Sequence, residues 1–184
     1  MRATTRAMVF LLTLALQLPA MSAPARGDDH AQLERDAVAA LNTLTAGNQA
    51  AALLRQKARA VLVFPTMLKA GFLFGGQIGD GVLLEGGRAA GIYNSVAASY
   101  GLQAGGQTFS YALFFMNNDA LRYLNESGGW EVGVGPSVVV VDDGMGKSIT
   151  STTLSHDVYA FIFSQKGLMA GIGVQGSKIT RIDD

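Results

Sequence analysis

Apolar residues along this chain change their spacing twice. Between residues 31 and 46, Leu33, Ala37, Leu41 and Leu44 recur at helical intervals, which predicts an amphipathic helix ending at Gly47. Asp28 or Asp29 is placed to cap it. Asn48 can cap a second helix, from Gln49 to about Arg59, with Ala51, Leu54 and Ala58 on one face. From Ala60 the helical period disappears. Residues 60–64 read as a short buried strand closed by Pro65. Strand-like pieces follow at 71–78, 81–85, 89–97, 99–104 and 107–115, separated by glycine, although propensity alone also allows helix at 98–100 and 111–115.

Helical spacing returns once. Asn117 caps a segment with Leu121 and Leu124 that ends near Gly128-Gly129, a short helix over 117–126. Trp130 then opens a long strand pattern through Val132, Val134 and residues 138–141, which Pro136 interrupts as a bulge or an edge position. Residues 142–146 form a turn, 148–154 and 157–163 a hairpin, and 168–174 and 178–182 the last strands. About eight short strands at 8–12-residue intervals close most naturally as a curled antiparallel sheet. The expected fold is α+β: a curved, mostly antiparallel β-sheet approaching a barrel, with N-terminal helices and the one short helix.

Residues 69–84, KAGFLFGGQIGDGVLL, stand at the centre of this pattern with five glycines in sixteen residues. Glycine weakens a strand, so this density beside Phe72, Phe74, Ile78 and Val82 predicts tightly curved strands or close approach of another backbone or a ligand.

Composition adds a compartment. The 184 residues predict one domain with a real core. Charged residues are 15%, against about 25% in an average soluble domain. Arg2 and Arg6 precede an apolar run over 7–18 and small residues around Ala23-Pro24-Ala25, the pattern of a secretory signal peptide. The run falls short of the roughly 20 residues that a spanning helix needs. Cleavage after Ser22, Ala23 or Ala25 fits, Ala25 best, leaving a single domain over 26–184 with 12 basic and 14 acidic side chains, a net of −2. No overall basic field remains to attract nucleic acid. The chain has no cysteine for a lipid anchor or a disulfide, and export without disulfides points to the bacterial periplasm, with peripheral association to the outer membrane.

Catalytic and cofactor motifs fail on spacing. Two histidines and no cysteine argue against a structural zinc site. Ser155, His156 and Asp157 are consecutive, and neighbours on a strand point to opposite faces, so they form no triad. Gly144-Met145-Gly146-Lys147-Ser148 ends like a phosphate loop but has Val141 where glycine is required. Gly79-x-Gly81 and Gly133-x-Gly135 open no helix, which removes the dinucleotide reading. Asp142-Asp143 with Asp157 reads as a solvated turn before a calcium site. No enzyme activity, cofactor, metal or nucleotide is expected. Basic residues carry more: Arg55, Lys57 and Arg59 on the second helix, Lys69 at the glycine-rich stretch, and Lys166, Lys178 and Arg181 near the end. A cationic patch beside exposed apolar residues suits a phospholipid headgroup, each basic residue contributing about 1 kcal/mol near an anionic surface. Ordinary solvated charge, and core packing for Phe72, Leu73, Phe74 and Leu168, are the competing assignments.

An ordered series of segments resembles the SYLF domain family. It runs Ala60-Val61-Leu62-Val63-Phe64-Pro65, Lys69-Ala70-Gly71-Phe72-Leu73-Phe74-Gly75-Gly76, Gly79-x-Gly81-Val82-Leu83, then Tyr100-Gly101-Leu102-Gln103-Ala104-Gly105-Gly106-Gln107. Val134-Gly135-Pro136 and residues 164–172, SQKGLMAGI, complete it, so the resemblance spans roughly 32–182. Many members carry Gly-x-Trp-Ser-x-Pro where this chain has Gly91-Ile92-Tyr93-Asn94-Ser95-Val96, an aromatic replacement without the proline. The resemblance implies a non-enzymatic domain that binds phospholipid. Its eukaryotic members favour phosphoinositides and some bind actin filaments, whereas bacterial members are exported envelope proteins. Lipid binding alone carries over to an exported chain.

The expected function is therefore binding of phospholipid or another anionic amphiphile at the bacterial envelope. The expected face combines Arg55, Lys57, Arg59, Lys69, Phe72, Phe74, Lys166 and Leu168. Two alternatives stand beside it: an outer-membrane β-barrel, and an envelope structural or interaction protein without a lipid ligand. Against the barrel, residues 138–141 and 111–116 are apolar on both faces, as in a packed core.

Overall fold

The computed structural model describes residues 26–126, 128–142, 146, 149–150, 154–167 and 176–182, with the backbone alone for 26, 72–74 and 99–104. The expected signal segment and the expected strand at 168–174 lie outside the described residues.

The apolar spacing at the start builds two helices, α1 (Arg26–Gly47) and α2 (Gln49–Lys57). α1 begins earlier than its spacing implies, so Asp28 and Asp29 sit inside its first turn, where carboxylates complement the positive end of the helix dipole. Asn48 caps α2 as predicted: its Oδ1 accepts the Ala51 N–H at 3.0 Å, worth about 1 kcal/mol. α2 ends at Lys57, two residues before Arg59. Together the helices bury Ala37, Leu41, Leu44, Ala51 and Leu54 against Val61, Val63, Val82, Leu84, Ala112 and Phe114 on the outer face of the sheet.

The glycine-separated pieces expected between 60 and 115 are two unbroken strands, β1 (Ala60–Glu85) and β2 (Arg88–Phe115). They pair antiparallel from Ala60↔Phe115 to Glu85↔Arg88, and this pairing overrides the helical propensity at 98–100 and 111–115. The turn between them is Gly86-Gly87, both at positive φ (56° and 82°), a conformation that glycine adopts without strain. Strand pairing survives the glycines, which bend the ribbon instead of ending it.

The ribbon doubles back on itself. A Cβ added to Gly79 would lie 2.6 Å from the Thr66 carbonyl oxygen, and one added to Gly81 would lie 2.6 Å from the Phe64 ring. β1 therefore forms two walls of a curled sheet with its bend between residues 67 and 79. Phe64, Met67, Leu83, Tyr93, Phe109, Tyr111, Leu113, Phe115 and Trp130 fill the inside.

β2 gives one edge to β1 and divides the other. Residues 93–96 pair with β6 (Lys178–Arg181) and 107–115 with β5 (Val158–Gly167), both antiparallel. The long strand expected from Trp130 is two short ones, β3 (Trp130–Glu131) and β4 (Val138–Val140), which occupy the two ends of the strand order β3-β6-β2-β5-β4. Pro136 lies buried in the connection between them, consistent with its missing N–H. The hairpin expected at 148–154 and 157–163 does not form among the described residues: β5 spends its edges on β2 and on β4, the latter in parallel. The architecture is the expected α+β half-barrel, mostly antiparallel, with α3 (Asn118–Leu124) as its short helix.

Asp157 holds one end of this sheet. Asn117 caps α3 by accepting the Ala120 N–H at 2.8 Å, and its amide donates to Asp157 Oδ1 at 2.7 Å. The Ser137 N–H and hydroxyl donate to Asp157 Oδ2 at 2.8 and 2.7 Å. The Ser137 N–H, then the Ser137 hydroxyl, then the Asn117 amide hold the Asp157 carboxyl below its ordinary pKa. A depressed folded-state pKa adds stability that is complete above the unfolded value near 4 and lost as pH falls through the folded one. Urea titrations should accordingly show Asp157→Asn less stable than the parent by about 1–2 kcal/mol at pH 7. The difference should narrow below pH 4, and a gap that stayed constant down to pH 2 would contradict the assignment.

Candidate binding surface

Pro65 and Thr66 decide which side chains reach solvent near the bend. Ala60, Leu62 and Phe64 point inward, but a register shift between Phe64 and Met67 moves the alternation by one, so that Met67 and Lys69 follow them inside. A bulge that inserts a residue reverses the faces of everything beyond it. The Ser110 hydroxyl donates to the Pro65 carbonyl at 2.8 Å across this irregularity. Lys69 is consequently 4% exposed, opposite Gln107, and Leu68 is 49% exposed. Gln77 is also buried and donates its amide to Ser177 Oγ at 3.2 Å. Among the described residues the buried Ser95 Oγ and Gln107 Oε1 make no hydrogen bond. Lys69 was expected on the binding face and belongs instead to a polar layer of the interior.

Two cross-strand rows occupy the outer face on either side of the bend. Leu68 on β1 pairs with Thr108 on β2, which pairs with Lys166 on β5. Ile78 on β1 pairs with Val96 on β2, which pairs with Lys178 on β6. Residues paired directly across antiparallel strands share a face, with Cβ atoms roughly 5 Å apart. Ile78 and Val96 are 50% and 46% exposed, and both lysines are exposed. Each row thus runs from a half-exposed aliphatic side chain to a lysine. The second row continues to Glu131 on β3, which forms no ion pair with Lys178.

The expected site residues divide between separate regions. Lys166 belongs to the first row. Phe72 and Phe74 lie in the bend, where the β1–β2 register shifts between them, and only their backbone is described. Leu168 lies outside the described residues. Arg55, Lys57 and Arg59 are exposed near the opposite end of the ribbon, where Arg55 and Arg59 line a cavity with Val61, Leu84 and the Gly86-Gly87 turn. Leu68, Ile78, Val96 and Lys178 were absent from the expected face. Their signal is pairing register, which a single strand pattern does not carry. His156 is exposed with its ring edge-on to Tyr159, and the Tyr159 hydroxyl accepts the N–H groups of Ser155 and His156, an anchoring arrangement. Burial pushes the Tyr111 phenol far above its ordinary pKa, so it stays neutral inside the core.

Residues 96–184, from the middle of β2 onward, match the family Ysc84, described as "Las17-binding protein actin regulator". Two yeast proteins of Saccharomyces cerevisiae, LAS seventeen-binding protein 3 and Protein YSC84, are each 34% identical to the chain over 137 residues, 69% of its length. The chain belongs to the SYLF (Ysc84) family. It matches 28% of the length of either yeast relative. At the position of the family's tryptophan motif, Tyr93 is buried, its hydroxyl donates to Asn125 Oδ1 at 2.6 Å, and the Arg181 guanidinium lies 5.9 Å from its ring centroid. This SYLF chain uses the aromatic for core packing against α3. Among the described residues no helix is long and apolar enough to cross a membrane.

Proposed function

We propose that this SYLF domain is a non-enzymatic, exported protein of the bacterial periplasm that docks on anionic phospholipid at the cell envelope through the bend of its β1–β2 ribbon. The observation that carries the proposal is the pair of rows, Leu68–Thr108–Lys166 and Ile78–Val96–Lys178, flanking that bend. Half-exposed aliphatic side chains next to lysines suit the boundary between acyl chains and anionic headgroups. By sequence the bend itself carries Phe72, Leu73 and Phe74. Leu73 lies five residues beyond either row, about 16 Å at strand rise. That is comparable with the ~15 Å hydrocarbon depth of one leaflet. The exposed α2 basics lie too far along the ribbon to belong to the same contact.

The spanning-barrel alternative loses support. The outer face of β1 and β2 near Val61, Val63, Val82 and Leu84 is buried under α1 and α2, where a spanning barrel presents that face to lipid.

Co-sedimentation with vesicles provides the test. Binding to phosphatidylglycerol-containing vesicles, weaker binding to pure phosphatidylcholine, and a decline with salt are expected. Absence of binding to both vesicle types would overturn the proposal.

A further inference from the structure

The end of the ribbon far from the bend holds a small pocket of different chemistry. It is a cavity of about 260 Å³ between α1, α2 and the β1–β2 turn. Leu41, Val61 and Leu84, all buried, give it an apolar floor, and Arg55 and Arg59 form its charged rim. Val61 and Leu84 are twelve and eleven residues from Leu73, on the order of 35 Å along a strand. The pocket is therefore remote from the proposed membrane contact.

Among the described residues neither of its two guanidinium groups is neutralised by an ion pair. Arg55 Nη1 donates to Asn42 Oδ1 at 2.8 Å and to Thr45 Oγ1 at 3.4 Å, both uncharged. These bonds fix the Arg55 side chain between α1 and the pocket. Arg59 follows the helix end, and its backbone N–H is tied to the Phe115 carbonyl at 2.8 Å. Among the described residues its guanidinium makes no hydrogen bond or ion pair. Arg55 and Lys57, in the last turn of α2, complement the helix dipole. Arg59 lies past that turn, and its charge has no such assignment. Glu85 pairs across the strand with Arg88 and does not line the cavity.

The turn leaves the mouth open. Nothing lies within 4 Å of where a side chain at Gly86 or Gly87 would begin. Two like charges around one small cavity repel each other, and an anion between them converts that repulsion into attraction. The planar fork of arginine matches the oxygens of a phosphate.

We propose that this pocket is a discrete anion site that takes a single phosphate group, with Arg55 and Arg59 as its ligands. The phosphate could be carried by a lipid headgroup or by a free phosphate ester, and the chemistry of recognition is the same for both. The site stands independently of membrane docking at the bend.

Amide chemical shifts of the full chain, titrated with inorganic phosphate, glycerol 3-phosphate and monomeric dihexanoyl phosphatidate, test it. Saturable shifts at residues 55–61 and 84–87 are expected. A common response to all three probes identifies phosphate as the determinant, and a response to phosphatidate alone assigns the site to an acylated headgroup. Arg55→Gln/Arg59→Gln should weaken binding at least tenfold with a melting temperature within a few degrees of the parent, because the Arg55 contacts with α1 are exposed, and Arg59→Gln alone should weaken it measurably. Lys166→Gln/Lys178→Gln should leave it unaltered. No saturable shift with any probe overturns the site, as does equal weakening by both double variants, which would mark a diffuse field. Vesicle binding is read in parallel: its loss with the amide shifts intact removes the docking proposal alone, and the converse removes the pocket alone.

Discussion

Gly79→Ala is expected to destabilise the fold by about 3 kcal/mol or more, near the upper range for an overpacked core. The added methyl would sit 2.5 Å from Met67 Sδ, 2.6 Å from the Thr66 carbonyl oxygen and 3.2 Å from Met67 Cα. The thioether can swing aside, but the other two atoms are backbone, and moving them opens the contact through which β1 meets itself. At about 2–4 °C per kcal/mol for a chain of this size, the melting temperature should fall by roughly 10 °C. Gly106→Ala is the control. Its Cβ meets nothing closer than the Lys69 carbonyl at 3.9 Å, an ordinary contact, and its stability should stay within about 1 kcal/mol of the parent. Equal stability of the two variants would mean that the ribbon does not close on itself at Gly79.

That contact explains which parts of the fold could be read from sequence. The helices could, because their signals are local: apolar residues at helical spacing, and Asn48 and Asn117 accepting N–H groups three residues on. The glycine-rich stretch was read correctly as curvature and close backbone approach, since glycine records what it must avoid. The strand breaks were misplaced because glycine disfavours a strand locally, whereas pairing along the whole of β1 and β2 is a property of two segments at once. Pro136 was the more dependable mark: it lies in the connection between β3 and β4, excluded from a ladder for a reason internal to the residue.

The site was read less well, for a reason that lies at Pro65 and Thr66. Strand alternation assigns a face to every residue only while no bulge intervenes. The shift between Phe64 and Met67 sends a lysine inward and a leucine outward, the reverse of what their polarity implies. Composition also grouped residues that the fold separates. Arg55 and Arg59 line a pocket at one end of the ribbon, and Lys166 stands near the other. Lys178 joins the second row only through its pairing with Val96. Charge could be counted along the chain; its distribution required the register.

Lys166→Glu/Lys178→Glu should lower partitioning onto anionic vesicles by up to about a thousandfold. A lysine near an anionic leaflet contributes about 1 kcal/mol, so reversing two charges removes about 4 kcal/mol, at roughly 1.4 kcal/mol per factor of ten. The glutamine pair should lose about 30-fold by the same reasoning. Glu131, across from Lys178, already weakens the local field there, so Lys166→Glu should account for more than half of the combined effect. Both lysines are exposed and, among the described residues, without ion pairs, so stability should change by less than about 0.5 kcal/mol. Val96→Gln separates the apolar part of the contact from the charged part. It should reduce binding to anionic and zwitterionic vesicles alike, because transfer of an aliphatic side chain out of water is indifferent to headgroup charge. The lysine variants should affect the anionic vesicles alone, and only below the salt concentration that screens them. If the double glutamate variant sediments with anionic vesicles as fully as the parent, the rows beside the bend are not the membrane contact, however the lipid is held.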